Sequence, residues 1–149
     1  MTCLARNCFA ALLVLALSSP VWAQETVTDD DLGVSTTLPA EWVESEEDEE
    51  RAVFNFKHEE SHSQIEVIQT ELMTPDVADV FFETFHETLT GSEFTEVGRE
   101  DKTYGDYAGT ETLYSFTHSG VELRVAVFQF VQDTTAWLVV SYIQQDVFD

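Results

Sequence analysis

Two apolar runs late in the chain, Val125-Ala126-Val127-Phe128 and Trp137-Leu138-Val139-Val140, constrain its architecture more than any other feature. Side chains alternate between the two faces of a strand, so a strand with one wet face alternates in polarity. These runs do not alternate. They read as strands covered on both faces, at the centre of a sheet. Asp133-Thr134-Thr135 turns the chain between them, and a tight His118-Ser119-Gly120 turn joins a strand over 110–117 to one over 121–131. The last strand spans 136–143.

Upstream, Gly33–Leu38 is rich in β-branched residues and reads as a strand, and Pro39-Ala40-Glu41-Trp42 turns the chain with Trp42 at the core edge. Ala52, Phe54 and Phe56 alternate with Val53, Asn55 and Lys57, the mark of a half-buried strand. Gln64–Leu72 is the next strand, and its phase shift between Val67 and Ile68 implies a bulge or burial of both faces. Thr74-Pro75-Asp76 opens a helix, with Thr74 as cap, Pro75 in the first turn and Asp76 at the positive end. Val77, Phe81, Phe85 and Leu89 then recur every fourth residue beside Val80 and Phe82, giving an amphipathic helix that ends near Gly91, with His86 flanking its core stripe. Phe94–Val97 is a short strand, resuming near Thr103-Tyr104, and Gly105–Gly109 is a turn. The fold class that results is α+β: a mostly antiparallel sheet of about six or seven strands with one main amphipathic helix over about 75–90.

The chain opens MTCLARNCFAALLVLALSSPVWAQ. Arg6 precedes an apolar run, Phe9–Leu17, that is too short to span a bilayer, and Val21-Trp22-Ala23 ends on a small residue. This is the layout of a secretory signal peptide over 1–23, cleaved near Ala23, and it implies a secreted or periplasmic protein. A flexible acidic lead-in over 24–32 and one domain over 33–149 follow. Both cysteines, Cys3 and Cys8, fall in the segment to be removed, so disulfides play no part in the mature fold.

The chain carries 29 acidic residues against six basic ones, a net charge of −23. Such a surface repels nucleic-acid phosphates and anionic membranes. No later segment is long and apolar enough to insert into a membrane. The densest acidic stretches are 29–31 and Glu44–Glu50, ESEEDEE. They could gather a divalent cation weakly, but they lack the glycine and alternating spacing of a calcium loop, so exposed solvated loops are expected.

His58-Glu59-Glu60-Ser61-His62 matches H-E-x-x-H, in which one helical turn aims two histidines at zinc and places a glutamate beside the metal-bound water. A third ligand would have to come from elsewhere, with His86 or Glu87 the available choices. Here the motif lies between two strands, where five residues make a hairpin turn rather than a helix. A metal-dependent hydrolase using His58, Glu59 and His62 is therefore the alternative to a non-catalytic role. No serine sits in a G-x-S-x-G context, no glycine-rich phosphate loop is present, and His118 precedes a turn as an exposed residue. No cofactor is implied.

The order of elements resembles the PsbP-like and DcrB-like families, which share an α/β/α sandwich. GVSTTLPAEW is similar to their opening strand–Pro–x–x–Trp element, YGDYAGTETLYSF to their G-x-x-G approach to a hairpin, and WLVVSYIQQDVF to their last strand and the start of a closing helix. The resemblance spans about Gly33 to Phe148 and implies a binding or accessory protein without catalysis. The chain departs from the pattern at its end, because Gln145–Asp149 stops where the closing helix would begin. Without that cover, Phe128, Phe130, Trp137 and Tyr142 become the expected contact residues for an unknown protein partner or for self-association, unless the N-terminal segment folds over them.

Overall fold

The computed structural model describes residues 25–31, 34–38, 41–45, 52–58 and 60–144. Residues 1–23, the expected signal peptide, together with Glu59, residues 46–50 of the acidic run, and 145–149, where the expected closing helix would begin, lie outside the described residues.

Nine strands and one helix are described: β1 (Glu25–Asp29), β2 (Val34–Leu38), β3 (Trp42–Glu44), β4 (Phe54–His58), β5 (Ser63–Glu71), α1 (Ala78–Gly91), β6 (Thr95–Tyr104), β7 (Tyr107–His118), β8 (Val121–Gln132) and β9 (Thr135–Gln144). The last seven strands form one antiparallel sheet in the order β3-β4-β5-β9-β8-β7-β6, and β1 and β2 form a separate antiparallel ribbon. The fold is thus α+β. After β5 the chain crosses through α1 to the far edge of the sheet and returns as a meander, which brings β9 back beside β5. The two apolar runs lie on β8 and β9, in the interior of the sheet, as their lack of alternation requires.

Each meander connection is a two-residue hairpin. Ser119 and Gly120 both have positive φ (52° and 81°), the primed geometry whose twist suits paired strands. Gly105 takes φ 61° and Asp133 φ 55° in the other two. The expected turn over 105–109 is shorter than its glycines suggest. Tyr107 already pairs with Tyr104, and Gly109 lies inside β7. A Cβ at Gly109 would overlap the Gln129 carbonyl oxygen and come within 2.9 Å of the Phe128 ring, so this glycine serves close strand–ring approach and not a turn.

One face of the sheet packs against α1. Ile68 of β5, Tyr114 of β7, Val125 and Val127 of β8, and Ala136, Leu138 and Val140 of β9 meet Ala78, Phe82 and Leu89 of the helix. Tyr114, Val125, Val127, Leu138 and Val140 are fully enclosed. The helix starts with a 3-10 turn over Pro75–Val77, and Thr74 makes no side-chain capping bond, so the proline and Asp76 mark the start without the expected cap. The buried row of α1 is Ala78, Phe82, His86 and Leu89, with Phe81 and Phe85 packed at its flank, while Val77 and Val80 are exposed. The fourfold recurrence in the sequence had selected a stripe one residue to the side. The buried row runs through Phe82, and His86, four residues on, falls on the same face of the helix.

His86 is enclosed because it is paired. Its Nε2–H donates to Gln129 Oε1 at 2.5 Å, and its Nδ1 accepts from the Tyr114 hydroxyl. Burial lowers the His86 pKa from its usual value despite the opposing Gln129 bond, and nearby Arg99 lowers it further against the pull of Glu96.

The other face carries a second cluster. Phe54, Phe56 and Val67 pack against Leu38, Val27 and Val34 of the ribbon. Among the described residues the layer opposite α1 is therefore a β-ribbon over the β4–β5 half of the sheet. Glu25–Asp29 is a strand of that ribbon, which corrects the expectation of a flexible lead-in: Thr26, Val27 and Thr28 supply strand-forming residues, and Val27 has an apolar surface to cover. β5 keeps an unbroken register, with Val67 opposite Val139 and Ile68 opposite Leu138. Its phase shift reflects burial of both faces, and no bulge occurs there. β6 runs ten residues where two short pieces were expected, with its bulge between Glu96 and Gly98. Its charged residues occupy a sheet edge, where polarity does not break pairing.

Two predictions follow from this packing. Gly109→Ala should lower unfolding free energy by about 3 kcal/mol, measured by chemical denaturation, whereas Gly98→Ala, with open space around it, should change it by less than about 0.5 kcal/mol. Because the folded His86 is held neutral, its contribution is complete above pH 6.5 and is lost as pH falls through that value towards the lowered folded pKa. The stability gap between wild type and His86→Gln should therefore narrow on acidification, by at most about 1.4 kcal/mol per pH unit. A constant gap in denaturation series between pH 7 and 5 would rule out that coupling.

Candidate functional site

The face opposite α1 continues past the ribbon onto β9, β8, β7 and β6. Pairing fixes which side chains share it. Phe130 stands opposite Trp137, Phe128 opposite Val139, and Glu111 opposite Phe128. The rings pack in sequence. Phe128 and Phe130 have centroids 5.5 Å apart, Phe130 stacks on Trp137 at 6.1 Å with planes 6° apart, Tyr107 lies 4.7 Å from Phe130, and Tyr104 meets Phe128 edge-on at 4.9 Å. Offset and edge-on ring pairs add cohesion beyond their buried area.

Phe128 is buried, while Phe130, Trp137, Tyr104 and Tyr107 are half-buried and Leu113 on the same face is exposed. Among the described residues the enclosed indole Nε1 of Trp137 has no hydrogen-bond acceptor. Of the four expected contact residues, three are thus brought together. Tyr142 is not among them: it pairs with Val125 on the α1 face and packs against the core there. Trp137 and Tyr142 are five residues apart on one strand, and an odd spacing puts them on opposite faces.

A polar node borders the rings. Lys102 Nζ donates to Glu111 Oε1 and, at 3.0 Å, to Glu100 Oε1, while the Tyr104 hydroxyl donates to Glu111 Oε2 at 2.7 Å. The bonds to Glu111 first, and to Glu100 second, hold the Lys102 ammonium well above the ordinary lysine range. Burial first, and the Glu111 bond second, push the Tyr104 phenol up, and burial with the Asp106 charge does the same for Tyr107. This node was not anticipated. Its signal was the lone Lys102 in an acidic stretch, two positions before Tyr104, which the hairpin register carries beside Glu111.

His58 ends β4 and pairs with Ser63 at the start of β5, and of the HEESH residues between them Glu60, Ser61 and His62 lie in a turn, with His62 at φ 51°. The helical turn that would aim both histidines at one metal does not form. The His58 ring is engaged by Ser61 of its own loop and by Glu41 and Trp42 of the neighbouring segment. Its Nδ1 accepts from the Ser61 backbone N–H at 3.2 Å and lies 3.0 Å from Ser61 Oγ, its Nε2 lies 3.4 Å from Glu41 Oε2, and its edge meets Trp42 at 5.6 Å. Both nitrogens thus have partners, and His62 is exposed. His86, suggested as a third ligand, is enclosed under α1 with both ring nitrogens bonded. Among the described residues no group of three or more histidine, cysteine or acidic side chains is placed to hold a metal ion. At the first acidic stretch, Asp29 Oδ1 accepts from the Asp31 N–H at 3.0 Å, a local turn.

No protein-family model matches the sequence, and no curated protein matches it. Among solved structures the fold is similar to that of cyanobacterial PsbP (CyanoP) from Synechocystis sp. PCC 6803, with a TM-score of 0.59 at 12% identity, covering 92% of this chain and 89% of that one. The chain therefore has a PsbP-like fold. Sequence identity that low carries the architecture alone. No helix among the described residues is long and apolar enough to cross a membrane.

Glu111 is the acceptor on which the polar node depends. Glu111→Ala should leave Lys102 without its nearest partner and the Tyr104 hydroxyl without an acceptor, at a cost of about 1–3 kcal/mol in denaturant unfolding. Glu111→Gln, which keeps an acceptor oxygen, should recover part of that loss. Equal losses in the two variants would mean that packing, and not the hydrogen bonds, sets the cost.

Proposed function

We propose that this chain is an exported, non-catalytic accessory protein that works by protein contact through the aromatic half of the sheet face opposite α1. One observation carries the reading: Phe128, Phe130 and Trp137, from two adjacent central strands, form a contiguous row of rings with Tyr104 and Tyr107 beyond the part of the face that the ribbon covers. Central strands normally bury such rings under a second layer, and half-buried aromatic rings on a rigid sheet are the residue type that anchors protein interfaces. The accessory role implied by the resemblance to PsbP-like families agrees with it. Export rests on the apolar opening of the sequence, with Arg6 before it and Val21-Trp22-Ala23 after it. The contact is with a second copy or another exported protein.

Light scattering of the protein in low and high salt, with Phe130→Ser and Trp137→Ser beside wild type, tests the contact surface. The expected wild-type mass is that of an assembly, from self-association or with a co-purifying protein, and both variants shift it towards the monomer. A wild-type monomer in every salt condition, with no co-purifying protein, would overturn the proposal.

A further inference from the structure

The partner's chemistry can be inferred from what surrounds the rings. The chain's net charge is −23, and besides the Glu111 and Glu100 carboxylates that Lys102 already neutralises, three acids lie at the end of the sheet where the aromatic row begins. Asp106 sits in the β6–β7 turn beside Tyr107, and its charge acts on that phenol. Asp133 sits in the β8–β9 turn, three residues beyond Phe130 and four before Trp137. Glu71 ends β5 opposite Thr135, on the same face as Trp137 and two residues from it along the paired strand. All three carboxylates are exposed. Among the described residues the two basic side chains on this face are already matched: Lys102 by Glu111 and Glu100, and Arg124 by Glu122 at 3.3 Å.

We infer that the aromatic face docks a basic peptide segment, with an arginine side chain laid over the Tyr107–Phe130–Trp137 row and its charge balanced by Asp106, Asp133 and Glu71. The inference rests on the reading that this face is the contact surface. A guanidinium suits it for two reasons. Its planar cation is attracted by the negative faces of aromatic rings, and it sheds water more readily than an ammonium does. The acids at the rim add long-range attraction, which speeds encounter and selects against acidic partners. A second copy of this chain fits less well at that rim, because it would bring the same three carboxylates to the contact.

Titration calorimetry of the purified protein with a short arginine-rich peptide tests this, with a lysine-rich peptide of equal length and a glutamate-rich peptide for comparison. The arginine peptide is expected to bind, the lysine peptide more weakly, and the glutamate peptide not at all. Trp137→Leu and Phe130→Leu, which keep apolar bulk but remove the ring, should each weaken the arginine peptide about fivefold. Tyr107→Leu, at the rim of the row, provides a third reading should either of the others fold poorly. Neutralising Asp106, Asp133 and Glu71 together should weaken it further, whereas neutralising Asp79 and Glu83 on the exposed side of α1 should not. Equal binding by all variants would mean adsorption to overall charge and would overturn the inference. No binding of the arginine peptide by a protein that still assembles through Phe130 and Trp137 would overturn it too, while leaving the contact surface in place.

Discussion

The structure depends on burying both faces of the β8–β9 hairpin. Leu138, Val140, Val125 and Val127 have no solvent contact on the α1 side, and Phe128 is almost as enclosed on the other. A hairpin with two apolar faces needs a layer on each, and the remaining elements are arranged to supply them. α1 lies over one face. On the other, the ribbon of β1 and β2 covers Phe54, Phe56 and Val67, and the rings of Tyr104, Tyr107, Phe128, Phe130 and Trp137 shield one another. The pair is also the seam of the sheet, because β9 joins β5 on one side and β8 joins the meander on the other. Each fully buried aliphatic side chain in that seam contributes roughly 1.5–3 kcal/mol of transfer free energy.

Much of this was legible in the residues. The uninterrupted runs placed β8 and β9 at the centre, Pro75 and Asp76 marked where the helical segment begins, Gly91 marked its end, and the flanking strands showed that HEESH had to be a turn. What was not legible has physical causes. β1 was hidden by the acids of its own turn, since Asp29, Asp30 and Asp31 dominate any reading of charge. β6 was hidden because edge strands tolerate charge, and its pairing comes from the hairpin at Gly105 rather than from an apolar pattern. The helix phase was read one residue off because Val77 and Val80 are apolar yet exposed, while its two hydrogen bonds let His86 stand in the core row.

The candidate site divides the same way. Phe128, Phe130 and Trp137 share one face of adjacent strands by the fixed alternation of strand faces, and the same rule puts Tyr142 on the other. The polar node was not legible, because nothing in the local sequence pairs Lys102 with Glu111. Only the register of a hairpin closed by Gly105 and Asp106 does so. The HEESH loop gives the opposite lesson. Its residue types match a metal motif, but a strand–turn–strand context gives them other partners, and His58 bonds to Ser61 and Glu41 instead.

The order in which the sheet is strung has a consequence for synthesis. β5 is made early, yet its partner on the seam side is β9, and residues 64–71 pair with 142–135 across the length of α1 and the whole meander. As the chain emerges from the ribosome, β5 has β4 on one edge and nothing on the other until the final strand appears. For that interval the backbone N–H and C=O groups along that side of β5 present an open, adhesive edge, and the meander that will close it must form first from its own short hairpins. A protein wired this way depends on its last ten described residues to cover the open edge of β5, and it is open to mispairing with other chains until they arrive.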